Sequence, residues 1–230
     1  MGLPAACLFD LDGLLLDTEP LHAAAWQQAA SRFGRSLTPQ ELLALRGRRR
    51  LDCAEQVLQW IDASGLATPG RDELLAVRQP IAEALLIHAK PMPGAAELVS
   101  RLQARGIPMA LATSSSQAAV ALKTGPHPWL ALIKARVHGD DPDLLAGKPA
   151  PDVFLLAAQR LGVNSSDCWA FEDSPAGAQA ALAAGCRVYV LPPQLHNIDD
   201  AQAEAAELGV LYPGIDRFLN SLEAVLTELG

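Results

Sequence analysis

Ala5-Ala6-Cys7-Leu8-Phe9-Asp10-Leu11-Asp12-Gly13 is the stretch whose reading decides the fold. An apolar run too short for a helix stops at an aspartate and is closed by Gly13, which reads as a buried strand. Asp10 and Asp12 stand two apart at its end, where side chains can face the same side. Two neighbouring carboxylates repel, and a hard cation between them relieves the repulsion. Taken alone, the same Asp-x-Asp pattern also describes a surface turn or the metal motif of a glycosyltransferase.

Working outward, three more apolar runs share this design. Residues 107–112 end in Thr113-Ser114-Ser115-Ser116, residues 168–171 in Glu172-Asp173-Ser174-Pro175, and residues 188–191 in Pro192-Pro193. Helical patterns over 95–105, 152–161 and 176–184 lie between them, closed by Gly106, Gly162 and Gly185 as helix C-caps. Short apolar strands alternating with helices predict an α/β fold with a parallel, doubly covered sheet. Ligands bind such sheets beyond the carboxyl ends of the strands, so the polar clusters should converge on one edge. From about residue 21 to 90 the alternation breaks. Positions such as Leu42, Leu43, Leu45 and Val57, Leu58, Ile61 point to amphipathic helices, and Pro91-Met92-Pro93-Gly94 marks the return. The expected organisation is a core of residues 1–17 and 91–230 carrying a helical insertion over 18–90.

Composition bounds the function. The 230 residues are 50% hydrophobic and 19% charged, with a net charge of −8. A chain of this length buries roughly 70–75% of its unfolded surface. Disorder, collagen, a disulfide scaffold and a coiled coil are excluded. The acidic balance argues against a nucleic-acid partner. Cys7, Cys53, Cys168 and Cys186 form no C-x-x-C pair and read as reduced and buried, which fits a cytoplasmic protein. No apolar run approaches the ~18–20 residues of a membrane span. The first residues lack the basic region of a signal peptide, and Ala6 departs from the myristoylation pattern.

Three clusters sharpen the Asp-x-Asp reading. Thr113-Ser114 offers a hydroxyl and backbone N–H groups to a phosphate oxygen, or caps the next helix. Lys148, in Gly147-Lys148-Pro149-Ala150-Pro151-Asp152, is a rigidly delivered positive charge suited to a phosphoryl group, or a solvated lysine. Glu172-Asp173 supplies further carboxylates for a cation, or an acidic pair favoured at a helix N-terminus.

The order Asp-x-Asp, Thr-Ser-Ser, Gly-Lys-Pro-x-Pro-Asp, Glu-Asp-Ser resembles the haloacid dehalogenase superfamily of phosphatases and phosphomutases. The helical insertion is similar to the cap of the subfamily that includes β-phosphoglucomutase and many sugar-phosphate phosphatases. The resemblance implies a Rossmann-like core and a Mg2+-dependent phosphatase acting on a small phosphorylated metabolite, typically as a monomer. Asp10 would form an aspartyl-phosphate and Asp12 would act as acid and base. Thr113 and the Ser114 N–H would bind the phosphoryl group, and Lys148 would offset the charge on the nucleophile and the phosphate. Asp10, the carbonyl of Asp12, Asp173 and Glu172, directly or through water, would hold Mg2+. The dehalogenase branch lacks the second aspartate that Asp12 supplies. Within Arg46-Gly47-Arg48-Arg49-Arg50, Arg50 falls where β-phosphoglucomutase grips a second phosphate, which makes a phosphomutase the alternative. His22 and Trp26 also have counterparts there, and His22 would gate Asp12 or simply pack its helix. Lys123-Thr124-Gly125-Pro126-His127 and Gly139-Asp140-Asp141-Pro142 are similar to the pseudouridine-5′-phosphatase and glycerol-3-phosphatase branch, in which Arg48 and Arg49 would match paired lysines. A non-catalytic binding protein would have no need of both aspartates.

Overall fold

The computed structural model describes residues 2–46, 48, 50–193, 207–215 and 217–229. The chain divides into two compact units, Met1–Leu16 with Pro91–Gly230, and Asp17–Lys90. In chain order the elements are β1 (Ala6–Phe9), β2 (Leu16–Asp17), α1 (Glu19–Arg32), α2 (Pro39–Ala44), α3 (Arg50–Ala63), α4 (Arg71–Leu86), β3 (Lys90–Pro91) and α5 (Ala95–Ala104). Then follow β4 (Met109–Ala112), α6 (Gln117–Thr124), β5 (Ala135–Val137), α7 (Asp152–Leu161), β6 (Cys168–Glu172), α8 (Pro175–Ala183), β7 (Arg187–Val190) and α9 (Glu223–Leu229).

The first unit is built on a five-stranded parallel sheet of order β5-β4-β1-β6-β7, with β1 at its centre. Every residue of β1, β4 and β6 is buried, as strands covered on both faces require. One face carries Leu8, Ala110, Ala170 and Val188 against Ala157 of α7 and Ala178 of α8. Alanines on both sides let helix and sheet backbones approach closely. The other face carries an aromatic ladder in register across three strands. Phe9 stacks on Phe171 at 4.8 Å and Phe171 on Tyr189 at 5.1 Å, ring centre to ring centre. Gly106, Gly162 and Gly185 all have positive φ where helices end, as their spacing predicts.

The sheet has one strand more than the apolar runs announce. β5 is a three-residue edge strand, partly exposed, with Arg136 at its middle, so it carries no apolar run to read. Pro128–Leu132 before it forms a 3-10 helix. β4 begins at Met109 rather than residue 107, because Pro108 has no N–H to give the ladder. β7 spans Arg187–Val190, one residue earlier than its apolar run.

Between the strand residues Asp17 and Lys90 at its ends, the regular elements of the second unit are helices. Trp26, Ala30, Leu45, Val57, Ile61 and Leu74 make its core, and α1 packs along α4. Thr38 and Glu41 form a reciprocal capping box that starts α2. Among the described residues no helix is long and apolar enough to cross a membrane.

Candidate active site

The sheet register brings the first two acidic residues together. Phe9 and Phe171 are partners on adjacent parallel strands, and the Asp10 N–H donates to the Phe171 carbonyl at 3.1 Å. One step further along each strand, Asp10 and Glu172 stand side by side on the face that carries Leu8 and Ala170. Lys148 Nζ donates to Asp10 Oδ1 at 2.5 Å and to Glu172 Oε1 at 2.5 Å, and lies over the Phe154 ring. Burial alone would push the Lys148 pKa down, but the two carboxylates outweigh it and hold the ammonium charged well above its ordinary range. Burial also pushes Asp10 up to about 7. Glu172 and Asp12 push the same way, and Lys148 opposes them.

Glu172 is fully buried, and its second oxygen accepts from the N–H groups of Asp173 and Ser174 and from Ser174 Oγ. Ser174 Oγ in turn accepts from the Gly177 N–H and starts α8. A Cβ at residue 177 would overlap the Glu172 carboxylate, so a glycine is what lets the helix close over it. Oxygens of Asp10, Glu172 and Asp173, all buried, lie within 4.8 Å of one another. Lys148 meets Asp10 and Glu172 of this group, and a second ammonium, Lys123, meets the neighbouring Asp12. An all-oxygen donor set of buried carboxylates and an aspartate raised by burial fit a hard divalent cation.

Asp12 and the Thr-Ser-Ser segment meet on the neighbouring side. Ser115 Oγ donates to Asp12 Oδ2 at 2.7 Å, and Lys123 Nζ donates to both Asp12 oxygens. Thr113 is buried, and its Oγ1 accepts from the Ser115 N–H at 3.1 Å. The helix cap is Ser116, whose Oγ accepts from the Ala119 N–H, so Thr113 and Ser114 are not the N-cap of α6. Gly139-Asp140-Asp141 supports this segment. The Gly139 N–H donates to the Ser115 carbonyl, Asp140 Oδ1 accepts from the Gln117 N–H, and Asp141 pairs with Arg160. The sequence reading missed the contribution of Lys123 and Ser115. Their signals were the Lys-Thr-x-x-His spacing and the third hydroxyl residue of the Thr-Ser-Ser run.

With this geometry in place, the likeness to known proteins becomes specific. Residues 4–185 match the model of the haloacid dehalogenase-like hydrolases. The chain belongs to that family. A probable pseudouridine-5′-phosphatase of Drosophila melanogaster is 37% identical over 197 residues, covering 81% of this chain and 80% of that one. The mitochondrial (DL)-glycerol-3-phosphatase 1 of Arabidopsis thaliana is 34% identical over 190 residues, covering 80% of this chain and 63% of that longer protein. A haloacid dehalogenase family hydrolase of Deinococcus radiodurans R1, solved with bound phosphate and sodium, superposes with a TM-score of 0.74 at 29% identity, covering 98% and 94% of the two chains. A β-phosphoglucomutase of Clostridium difficile shares the fold, with a TM-score of 0.73 at 19% identity over 99% and 95% of the two chains.

The remaining expected residues of this haloacid dehalogenase-like chain lie in its helical unit. His22 Nδ1 faces Arg78 Nη2 at 2.9 Å, and the Arg78 guanidinium lies over the Trp26 ring. Arginine only donates, so Nδ1 is the accepting nitrogen. Arg50 opens α3 and donates to Gln79 Oε1 at 2.9 Å. Arg46 pairs with the buried Glu19, and Arg48 contacts Gln56. Gly47 and Arg49 lie outside the described residues.

Proposed function

We propose that this chain is a Mg2+-dependent phosphatase that hydrolyses small phosphorylated metabolites through an aspartyl-phosphate at Asp10. The buried group of Asp10, Lys148, Glu172 and Asp173 at the carboxyl ends of β1 and β6 carries the reading. Family membership and the phosphatase relatives support the reaction class.

Asp10, Asp173, the Asp12 carbonyl and, directly or through water, Glu172 would hold Mg2+, with Glu172 fixed in place by Lys148 and the loop N–H groups. An ion held there would supply positive charge to the phosphoryl oxygens. Lys148 orients the Asp10 carboxylate and offsets the charge it meets on the phosphate. Thr113 Oγ1 accepts from the Ser115 N–H, so its hydroxyl hydrogen can donate to a phosphoryl oxygen alongside the Ser114 N–H. Asp10 attacks phosphorus, and Asp12 gives a proton to the departing oxygen. Asp12 then takes a proton from the water that cleaves the aspartyl-phosphate. We assign residues 18–90 the role of a cap that selects the substrate, with Arg50 and His22 as its contacts to test. Four unpaired, buried cysteines support a cytoplasmic location, and the chain is proposed to act as a monomer.

Inorganic phosphate release from a panel of monoesters, with Mg2+ or with EDTA, tests this. The panel holds pseudouridine 5′-phosphate, glycerol 3-phosphate, hexose 6-phosphates, flavin mononucleotide and β-glucose 1-phosphate. Metal-dependent release supports the reading. Conversion of β-glucose 1-phosphate to the 6-phosphate without release would replace it with a phosphomutase, and Arg50 would then be the residue to change.

A further inference from the structure

We infer that Lys123 and Ser115 form a positioning clamp that holds the Asp12 carboxylate in the orientation its proton transfers require. The inference rests on the phosphatase reading, in which Asp12 moves the proton. Lys123 Nζ lies 2.6 Å from Asp12 Oδ1, 2.5 Å from Asp12 Oδ2 and 2.8 Å from Ser115 Oγ. An ammonium has three hydrogens, and here it has three acceptors. Ser115 Oγ passes its own hydrogen to Asp12 Oδ2, which closes a triangle of contacts. The Lys123 side chain is fully buried, while that of Asp12 keeps 16% exposure. Burying an ammonium is costly. The cost is offset by this carboxylate and by placement in the last turn of α6, where the helix dipole favours a cation.

The segment that delivers Lys123 is anchored at its other end. Ser116 caps α6, Asp140 receives the Gln117 N–H, and the Gly139 N–H holds the Ser115 carbonyl. A Cβ at residue 139 would overlap the Ser114 carbonyl, so a glycine lets the two loops close on each other. These contacts set where Ser115 Oγ sits and where α6 places Lys123. Asp12 lies beyond the end of β1, where its backbone bridges to Leu16, and its carboxyl group meets Lys123 and Ser115.

In the first half-reaction Asp10 bonds to phosphorus and the ester P–O bond breaks. Asp12 enters this step protonated and gives its proton to the departing oxygen, which leaves the ionised carboxylate that Lys123 and Ser115 bind and that acts as base in the second half. In the second, water bonds to phosphorus, the P–O bond to Asp10 breaks, and Asp12 takes back a proton from that water. A misplaced Asp12 penalises the first half in proportion to how much the leaving group needs the proton.

The test compares Lys123→Met, Ser115→Ala and Asp12→Ala with the wild-type chain. Substrates are the alkyl phosphate of the panel that turns over fastest and p-nitrophenyl phosphate, whose leaving group departs without a proton. The quantity read is kcat/KM, which reports only the steps through formation of the aspartyl-phosphate. Lys123→Met is expected to lose about 10²-fold on the alkyl ester and under about threefold on the aryl ester. Ser115→Ala, the milder change, is expected to show the same split at smaller size. A crystal structure of Lys123→Met is expected to show the Asp12 carboxylate turned away from Ser115, and it reads the clamp even where no ester turns over. Equal losses on both esters, or an unmoved Asp12 carboxylate, would overturn the clamp. A split in Asp12→Ala without one in Lys123→Met removes the clamp and leaves the phosphatase reading standing. No split in Asp12→Ala removes the acid role of Asp12 itself.

Discussion

Asp10 and Lys148 are separated by 138 positions in the chain, yet Lys148 Nζ lies 2.5 Å from Asp10 Oδ1. The same ammonium is 2.5 Å from Glu172 Oε1, so one buried lysine serves carboxylates at the ends of two neighbouring strands. This contact makes the strand-end chemistry a unit, and the behaviour of the site under substitution follows from it.

Replacing Lys148 by Met leaves two buried carboxylates without their common partner. Breaking a buried pair on one side costs about 3–5 kcal/mol. Denaturant unfolding should show a loss of that order in metal-free protein, and phosphate release should fall by at least about 10²-fold. Unfolding unchanged from wild type would mean that Lys148 is not the partner of both groups.

Asp10 is raised to about 7 by burial, from an ordinary value of 3.8. Between those values the unfolded chain has released this proton and the folded chain has not, so stability falls as pH rises. Above about pH 7 the whole cost is present. Asp10→Asn removes it, and in EDTA the variant should melt above wild type at about pH 8, with the gap closing toward about pH 4. The same variant should release no phosphate. A variant that melts below wild type at high pH would contradict the buried-charge account.

The same raised value sets the pH dependence of metal binding. Protons compete with Mg2+ for Asp10, so the calorimetric Kd should weaken about tenfold per pH unit below about 7 and level off above it. A Kd constant from about pH 5 to 8 would place the ion away from Asp10.

Gly139 and Gly177 are sites where a single methyl group matters. A Cβ at 139 meets the Ser114 carbonyl, and one at 177 meets the Glu172 carboxylate. Overpacking of this kind costs about 1–3 kcal/mol. Gly139→Ala and Gly177→Ala should each lower kcat about 10²-fold by displacing phosphate-binding and charge-bearing groups. Wild-type kcat in either would show that the loops yield freely.

All four cysteines are buried and unpaired, and burial pushes the Cys53 and Cys168 thiols up to about 11 and Cys186 to about 12, with Cys7 higher still. Little thiolate exists at neutral pH, so a disulfide reagent should react with none of them in native protein and with all four in denaturant. Rapid labelling of native protein would contradict their burial.

The sequence by itself determined the α/β class and the polar ends of its central strands. Runs such as 5–9 and 168–171 are legible because a strand covered on both faces has to be apolar throughout, so Asp10 and Glu172 stand out where they end. β5 was not legible, because an edge strand with one face in water needs no such run. The resemblance implied that Lys148 offsets the charge on Asp10, but the full set of partners of the two aspartates comes from the tertiary structure. That one ammonium, Lys148, joins Asp10 to Glu172, and that Lys123 and Ser115 meet Asp12, depends on loop closure and helix placement, with Lys148 lying 138 positions from Asp10 and Lys123 lying 111 from Asp12. Local pattern registers what a residue is and which face it takes. Which charge neutralises which is set by the packing that brings distant segments into one water-poor site.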